Sequence, residues 1–234
     1  MAKLYAIGVG PGDPELLTLK AHRVLQEVEI IFVPKSRKEN SSVAYEIARQ
    51  FIPEETKIEY LYMPMISERE QLMYYWDKAA QQVAERLQSG DAAFLTIGDS
   101  LTYSTATYLA QSLGKIKTDA EVSFIPGITS YNAGAAQIGI PLVEGDEPLL
   151  ILPTAATAQH LRLTFSSYSS CVLLKVSRYY DTVLDVLQEM NLTDQAVLIS
   201  RCGTDQERII TDLESLRGQK IDYLSLMIVK GGGS

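Results

Sequence analysis

For most of its length the chain switches repeatedly between short apolar runs and longer stretches whose apolar residues recur every three or four positions. Strands that are apolar throughout, alternating with helices, require a largely parallel sheet covered on both faces. The runs LYAIGV (4–9) and EIIFV (29–33) flank a helix presenting Leu17, Ala21, Val24, Leu25 and Val28 on one face. SSVAYEIARQF (41–51) reads as a second helix and KIEYLYMPM (57–65) as another strand. A long helix follows, with Ser67 and Glu70 spaced as a capping box. Leu72, Tyr75, Trp76, Ala79, Ala80, Val83 and Leu87 lie at helical spacing along it, and Gly90 marks its end. AAFLTIG (92–98) is a fully buried strand, with a helix after it to about Leu113.

The rhythm breaks at GKIKTDAE (114–121), a polar stretch that reads as a linker between residues 1–113 and 122–230. The second part opens with strand VSFIPG (122–127) and the small-residue helix SYNAGAAQIG (130–139). Strand PLLILP (148–153), helix TAQHLRLTFSSY (157–168), strand CVLLKV (171–176) and helix DTVLDVLQEM (181–190) follow. QAVLISRCG, ERIITDL and YLSLMIVK then succeed one another with short connections, which favours antiparallel pairing. Two α/β domains are expected, the first largely parallel and the second mixed. GGGS at 231–234 reads as a flexible tail.

Charge narrows the class. The formal net charge is −8, so the field repels phosphate backbones and nucleic acid is not an expected partner. No apolar run approaches a membrane span, and residues 1–10 lack the pattern of a signal peptide. Cys171 and Cys202 form no C-x-x-C pair, so buried thiols in a reduced, cytoplasmic setting are expected. With only His22 and His160, far apart, no metal site is expected.

Several loops carry the chemistry. GVGPGDPELLTLK (8–20) contains Gly8, Gly10 and Gly12, but Asp13 stands where a dinucleotide fingerprint places its third glycine. The next strand ends in Pro34 and Lys35 rather than in a ribose-binding carboxylate. A tight strand-to-helix turn is the alternative use of these glycines. In TIGDSLTYSTATYL (96–109), Gly98 and Asp99 end a buried strand, where open α/β sheets bind ligands. Asp99 there either contacts a ligand or caps the following helix with Ser100. FIPGITSYNAGAAQIGIP (124–141) repeats the pattern, with Thr129 and Ser130 at a helix start. Its run of small residues serves close packing or close approach to a ligand. PKSRK (34–38) and SRCGTDQER (200–208) supply basic residues at strand ends, as solvated loops or as anion contacts.

Together, GVGPGDPELLTLKA, TIGDSLTYST, IPGITSYNAGAAQIGIPL and CGTDQERI resemble, in order and spacing, the motifs of the tetrapyrrole methylases. EIIFVPKSRKENSSVAYEIARQFI, EGDEPLLILP and VLLKVSRYYDTVLDVLQE look most like the branch methylating precorrin-2 at its C-20 meso carbon in cobalamin synthesis. The resemblance implies two α/β domains with S-adenosylmethionine in the cleft between them, usually within a homodimer. It implies cofactor contacts at Pro11, Ile97, Gly98, Asp99, Thr102, Thr129, Ser130, Val176 and Gly203. Asp99 is also the residue best placed to assist catalysis, by orienting the cofactor or as a base. Lys35, Arg37 and Arg201 are the expected contacts for the carboxylates of the substrate. Two departures from the family stand out: Ser100 replaces the proline of Gly-Asp-Pro, and Val176 replaces a methionine. A sister methylase acting at another ring position, or on the modified histidine of a translation factor (the diphthine synthase type), is the alternative. A nucleotide- or phosphate-binding module without methylating activity is the reading from a different class.

Overall fold

The computed structural model describes residues 2–36, 42–66, 68–153 and 157–231. The chain divides into two units, Met1–Thr129 and Ser130–Ser234.

In the first unit five strands form one parallel sheet: β1 (Lys3–Gly8), β2 (Ile30–Lys35), β3 (Lys57–Tyr62), β4 (Ala92–Thr96) and β5 (Glu121–Ile125). Their spatial order is β3-β2-β4-β1-β5. Four helices accompany them, α1 (Leu19–Glu27), α2 (Val43–Ala48), α3 (Arg69–Arg86) and α4 (Ala106–Ile116). Leu4, Phe32 and Phe94 point to one face and pack with Ala80 and Val83 of α3 and Leu109 and Leu113 of α4. Ile7, Ile31 and Leu95 point to the other and pack with Val24 and Leu25 of α1 and Ile47 of α2. Burial on both faces explains why these strands read as continuous apolar runs.

Strand order also places the ligand end. From β1 the chain crosses β4 to reach β2, whereas from β4 it crosses β1 to reach β5. The connections of these neighbouring strands therefore leave in opposite directions, the arrangement that marks the ligand-binding crevice at the carboxyl ends of open α/β sheets.

VSFIPG, expected to open the second domain, instead forms β5, which pairs with β1 from Lys3↔Glu121 to Ile7↔Ile125, and the division falls after Thr129. GKIKTDAE is the end of α4 and an exposed crossover into β5; its polarity reports solvent, not a boundary. For the capping box, Ser67 lies outside the described residues, while α3 starts at Arg69 with Glu68 at the N-cap. Glu70 is thus one position too early in the helix for a box. The helix also ends at Arg86, before Gly90.

The second unit holds α5 (Ser130–Ile138), β6 (Leu149–Leu152), α6 (Ala158–Ser167), β7 (Ser170–Leu174) and α7 (Tyr180–Glu189), then β8 (Ala196–Ser200), β9 (Arg208–Ile210) and β10 (Ser225–Lys230). The order is β6-β7-β10-β8-β9, with β6 and β7 parallel and every other pair antiparallel. One face, with Leu173, Leu198 and Met227, packs with Leu161 of α6 and Leu184 of α7. The opposite face, with Val172, Ile199 and Leu226, packs with Ala135 of α5. A Cβ on Gly134 would lie 2.8 Å from Ile199 Cδ1, so the slimness of α5 serves packing on β8. None of the described helices is long and apolar enough to cross a membrane.

Candidate functional site

At the crevice, three segments that follow β1, β4 and β5 meet backbone to backbone. The Val9 amide donates to the Thr96 carbonyl at 3.0 Å. Gly10 and Gly98 exchange N–H···O bonds of 3.1 and 2.7 Å, forming an isolated antiparallel bridge. A Cβ on Gly8 would lie 2.6 Å from the Gly98 oxygen and 2.7 Å from the Gly127 nitrogen; one on Gly127 would lie 2.2 Å from the Gly98 oxygen. No side chain fits there, and Gly98 adds a left-handed φ of 67°. Gly8 and Gly10 of the opening loop are therefore architectural.

The same loop excludes the dinucleotide geometry. After Pro11, which is buried, Asp13 caps a single 3-10 turn at Pro14–Leu16 by accepting from the Glu15 amide at 2.8 Å. α1 begins only at Leu19, with Thr18 Oγ1 accepting from the Ala21 amide at 3.2 Å. The helix N-terminus thus stands well beyond the Gly-x-Gly turn, not beneath a pyrophosphate.

Asp99 ties the junction together. Its Oδ1 accepts from the amides of Leu101 and Thr102, both at 2.9 Å, and from the Thr102 hydroxyl at 3.0 Å. Its Oδ2 accepts from the Gly127 amide at 3.1 Å. Partial burial pushes the carboxyl pKa up, but the bonds from Leu101, Gly127 and Thr102 outweigh it and hold the group below its ordinary value of 3.8. A carboxylate whose two oxygens already accept four hydrogen bonds suits orientation rather than proton abstraction. At the far end of the loop Ser104 Oγ lies 3.0 Å from Thr96 Oγ1 and accepts from the Ala106 amide at 3.1 Å, starting α4. Ser104 and Thr96 were not among the sequence candidates; their hydroxyl signal is lost in a segment rich in Ser and Thr.

The other candidates fall into two groups. Ile97, Gly98, Asp99 and Thr102 follow β4, while Thr129 is buried just before Ser130 opens α5. In the second unit the turn after β7 places Val176, which is buried in the core, and Gly203 follows β8 with φ 75°. The Gly203 amide donates to Glu207 Oε2 at 2.6 Å. Among the basic candidates, Lys35 ends β2 at the crevice end of its sheet, its ammonium 5.3 Å from the Tyr60 ring centroid. Arg37 lies outside the described residues. Arg201 is tied down, its Nε donating to Asp222 Oδ2 at 2.7 Å, so part of its charge is already answered. Burial pushes the Cys171 thiol up to about 11 and, aided by Glu207, that of Cys202 up to about 12. His22 packs edge-on against Phe51 and contributes nothing to these loops.

Bare backbone, an ionised carboxylate and neutral hydroxyls thus gather at one sheet end. Residues 3–217 match the family model described as "Tetrapyrrole (Corrin/Porphyrin) Methylases".

The chain belongs to the tetrapyrrole methylases.

This methylase is 38% identical over 231 residues to a protein of Methanocaldococcus jannaschii named "Probable cobalt-precorrin-2 C(20)-methyltransferase", covering 97% of this chain and 96% of that one. It is 30% identical over 242 residues to the "Precorrin-2 C(20)-methyltransferase" of a Sinorhizobium species, covering 99% and 96%. The uroporphyrin-III C-methyltransferase of Thermus thermophilus, solved in complex with S-adenosyl homocysteine, superposes with a TM-score of 0.66 at 20% identity, over 98% and 97% of the two chains. At that identity the likeness is one of fold.

Proposed function

We propose that this methylase transfers the methyl group of S-adenosylmethionine to the C-20 meso carbon of precorrin-2, or of its cobalt complex, in cobalamin synthesis. The observation carrying this reading is the 38% identity, spanning nearly all of both chains, to the archaeal relative of that name. When bound, the sulfonium cofactor supplies an already activated methyl group, so the protein needs no strong nucleophile. Its task is to hold the accepting carbon in line and to keep water away.

In this reading Pro11, Ile97, Gly98, Asp99, Thr102, Thr129, Ser130, Val176 and Gly203 contact the cofactor. Val176 does so through its backbone, because its side chain is committed to the core. Asp99 is a positioning residue: it fixes the loops after β4 and β5 through Thr102 and Gly127. Lys35 and Arg37 meet substrate carboxylates, with Arg201 a weaker contact because of Asp222. The working form is a cytoplasmic homodimer.

The deciding experiment is anaerobic turnover of precorrin-2 against cobalt-precorrin-2 with ¹³C-methyl donor, the methylated carbon being read by NMR. Label at C-20 is expected. Label at another ring carbon assigns the chain to a sister activity. No transfer, with nucleotide but not S-adenosylhomocysteine binding in calorimetry, overturns the methylase reading.

A further inference from the structure

Lys35 and Arg201 are both expected to meet substrate carboxylates, and the fold holds the two cations in opposite ways. The Arg201 Nε donates to Asp222 Oδ2 at 2.7 Å, a contact that cancels part of its charge. Lys35 makes no ion pair among the described residues; its ammonium lies instead 5.3 Å from the centroid of the Tyr60 ring. That distance is within the range of a cation–π contact.

Strand pairing explains why these two side chains meet. β2 and β3 run parallel, with Val33 against Tyr60 and Lys35 against Tyr62. Residues two apart on a strand share a face, so Lys35, Tyr60 and Tyr62 lie on the same side of the sheet. Tyr62, directly opposite Lys35, is committed elsewhere: its ring stands edge-on to that of Tyr75, centroids 5.1 Å apart. Tyr60 is left for the ammonium. It lies on an edge strand and is 47% exposed, so core packing does not account for an aromatic side chain there.

An aromatic face attracts an ammonium without neutralising it. Lys35 therefore keeps its charge and its N–H donors for a further partner, while the ring restrains a stem that would otherwise be flexible. Restraint imposed before binding lowers the entropy lost on binding. The location suits such a use. Counting on from the last β2–β4 pair, Phe32↔Phe94, Lys35 corresponds to Ile97, next to Gly98 and Asp99. Neighbouring strands lie about 5 Å apart, so the ammonium is held beside the junction at the ligand end of the sheet.

We propose that Tyr60 is a positioning residue for substrate capture: its ring holds the Lys35 ammonium at the end of β2, charged and ready for a carboxylate of the tetrapyrrole. This rests on the reading of Lys35 given above and adds to it a residue outside every motif that carries the family resemblance. The test is steady-state kinetics on precorrin-2, with calorimetry of S-adenosylhomocysteine, for wild type, Tyr60→Leu, Tyr60→Phe, Lys35→Gln and the double variant Tyr60→Leu/Lys35→Gln. Tyr60→Leu is expected to raise KM about twofold to fivefold, the range of one exposed cation–π contact, with kcat and cofactor affinity unchanged. Tyr60→Phe keeps the ring and should restore the wild-type KM. In the Lys35→Gln background, Tyr60→Leu should add nothing further. An unchanged KM in Tyr60→Leu overturns the proposal. So does an equal rise in Tyr60→Phe, which assigns the effect to the phenol hydroxyl, and so do independent effects of the two substitutions. A parallel loss of cofactor affinity in Tyr60→Leu gives the ring a purely structural role and overturns it too. Two results are distinct from these. A wild-type KM in Lys35→Gln removes Lys35 from the substrate site, and Tyr60 with it. Wild type that does not methylate precorrin-2 removes the proposed function itself, and this capture step with it.

Discussion

At the scale of single residues, Asp99 does more than its position in Gly-Asp-Ser suggests. Its partner Gly127 lies 28 residues further along the chain, so no local pattern reveals that one carboxylate links two loops. Replacing it by asparagine turns an N–H donor toward N–H donors, and stability should fall by about 1–3 kcal/mol. Affinity for S-adenosylhomocysteine should fall about tenfold as the loops loosen. The pH dependence has a definite sign. The folded-state pKa is lowered, so the ionised form stabilises the fold above the unfolded value near 3.8, and this contribution is lost as pH falls through the folded value. Melting temperatures of wild type and Asp99→Asn should differ near neutrality and converge below about pH 4, close to the reference carboxylate value. A constant gap would show that the carboxylate's charge is irrelevant. Lys35→Gln combined with Arg37→Gln tests the substrate contacts. KM for the tetrapyrrole should rise about threefold to tenfold with cofactor affinity unchanged, as expected for partly solvated ion pairs. A matching loss of cofactor affinity would move these residues to the other ligand. Arg201, expected to meet substrate carboxylates, is answered by Asp222, 21 residues away, through a fold-dependent contact.

At the scale of elements, what was legible and what was not divide along physical lines. Strand β4 was plain because both its faces are buried, leaving Ala92 to Thr96 without an exposed position. The late start of α1 follows from Pro11, Pro14 and Thr18, since proline and a capping hydroxyl act locally. Strand partners are not local, and β5 was misplaced for that reason: a lysine-bearing crossover looks the same whether it leads to the same sheet or a new one. In α5 the small residues left two uses open, and contact with β8 decides for packing. Gly134→Ala puts a methyl against Ile199 Cδ1, the end of a flexible side chain, and should cost about 1–2 kcal/mol as a mild overpacking. Adding Ile199→Val removes the opposing methyl and should recover most of that loss. Denaturation of the two single variants and the double variant measures the coupling, and strict additivity would rule the contact out.

At the scale of the whole molecule, a net charge of −8 meets a substrate class rich in carboxylates. Long-range repulsion slows encounter, while the few basic side chains near the strand ends act only at short range. Raising ionic strength from about 10 mM to about 150 mM shortens the screening length from roughly 30 Å to 8 Å. The value of kcat/KM for the tetrapyrrole should therefore rise, by about twofold to fivefold, in a stopped-flow or steady-state salt series. A fall would mean that the local basic residues govern capture. The two sheets also differ in when they can be completed during synthesis. The first sheet has all its strands once the chain has passed Ile125, and its partners are added in an orderly way from the amino end. The second is assembled around β10, its latest strand in sequence, which pairs on both sides with strands made earlier. Without β10, β7 and β8 each lack the strand that joins them. This unit thus carries an aggregation hazard until β10 is in place, and losing Ser225–Lys230 would remove a keystone, not a fringe.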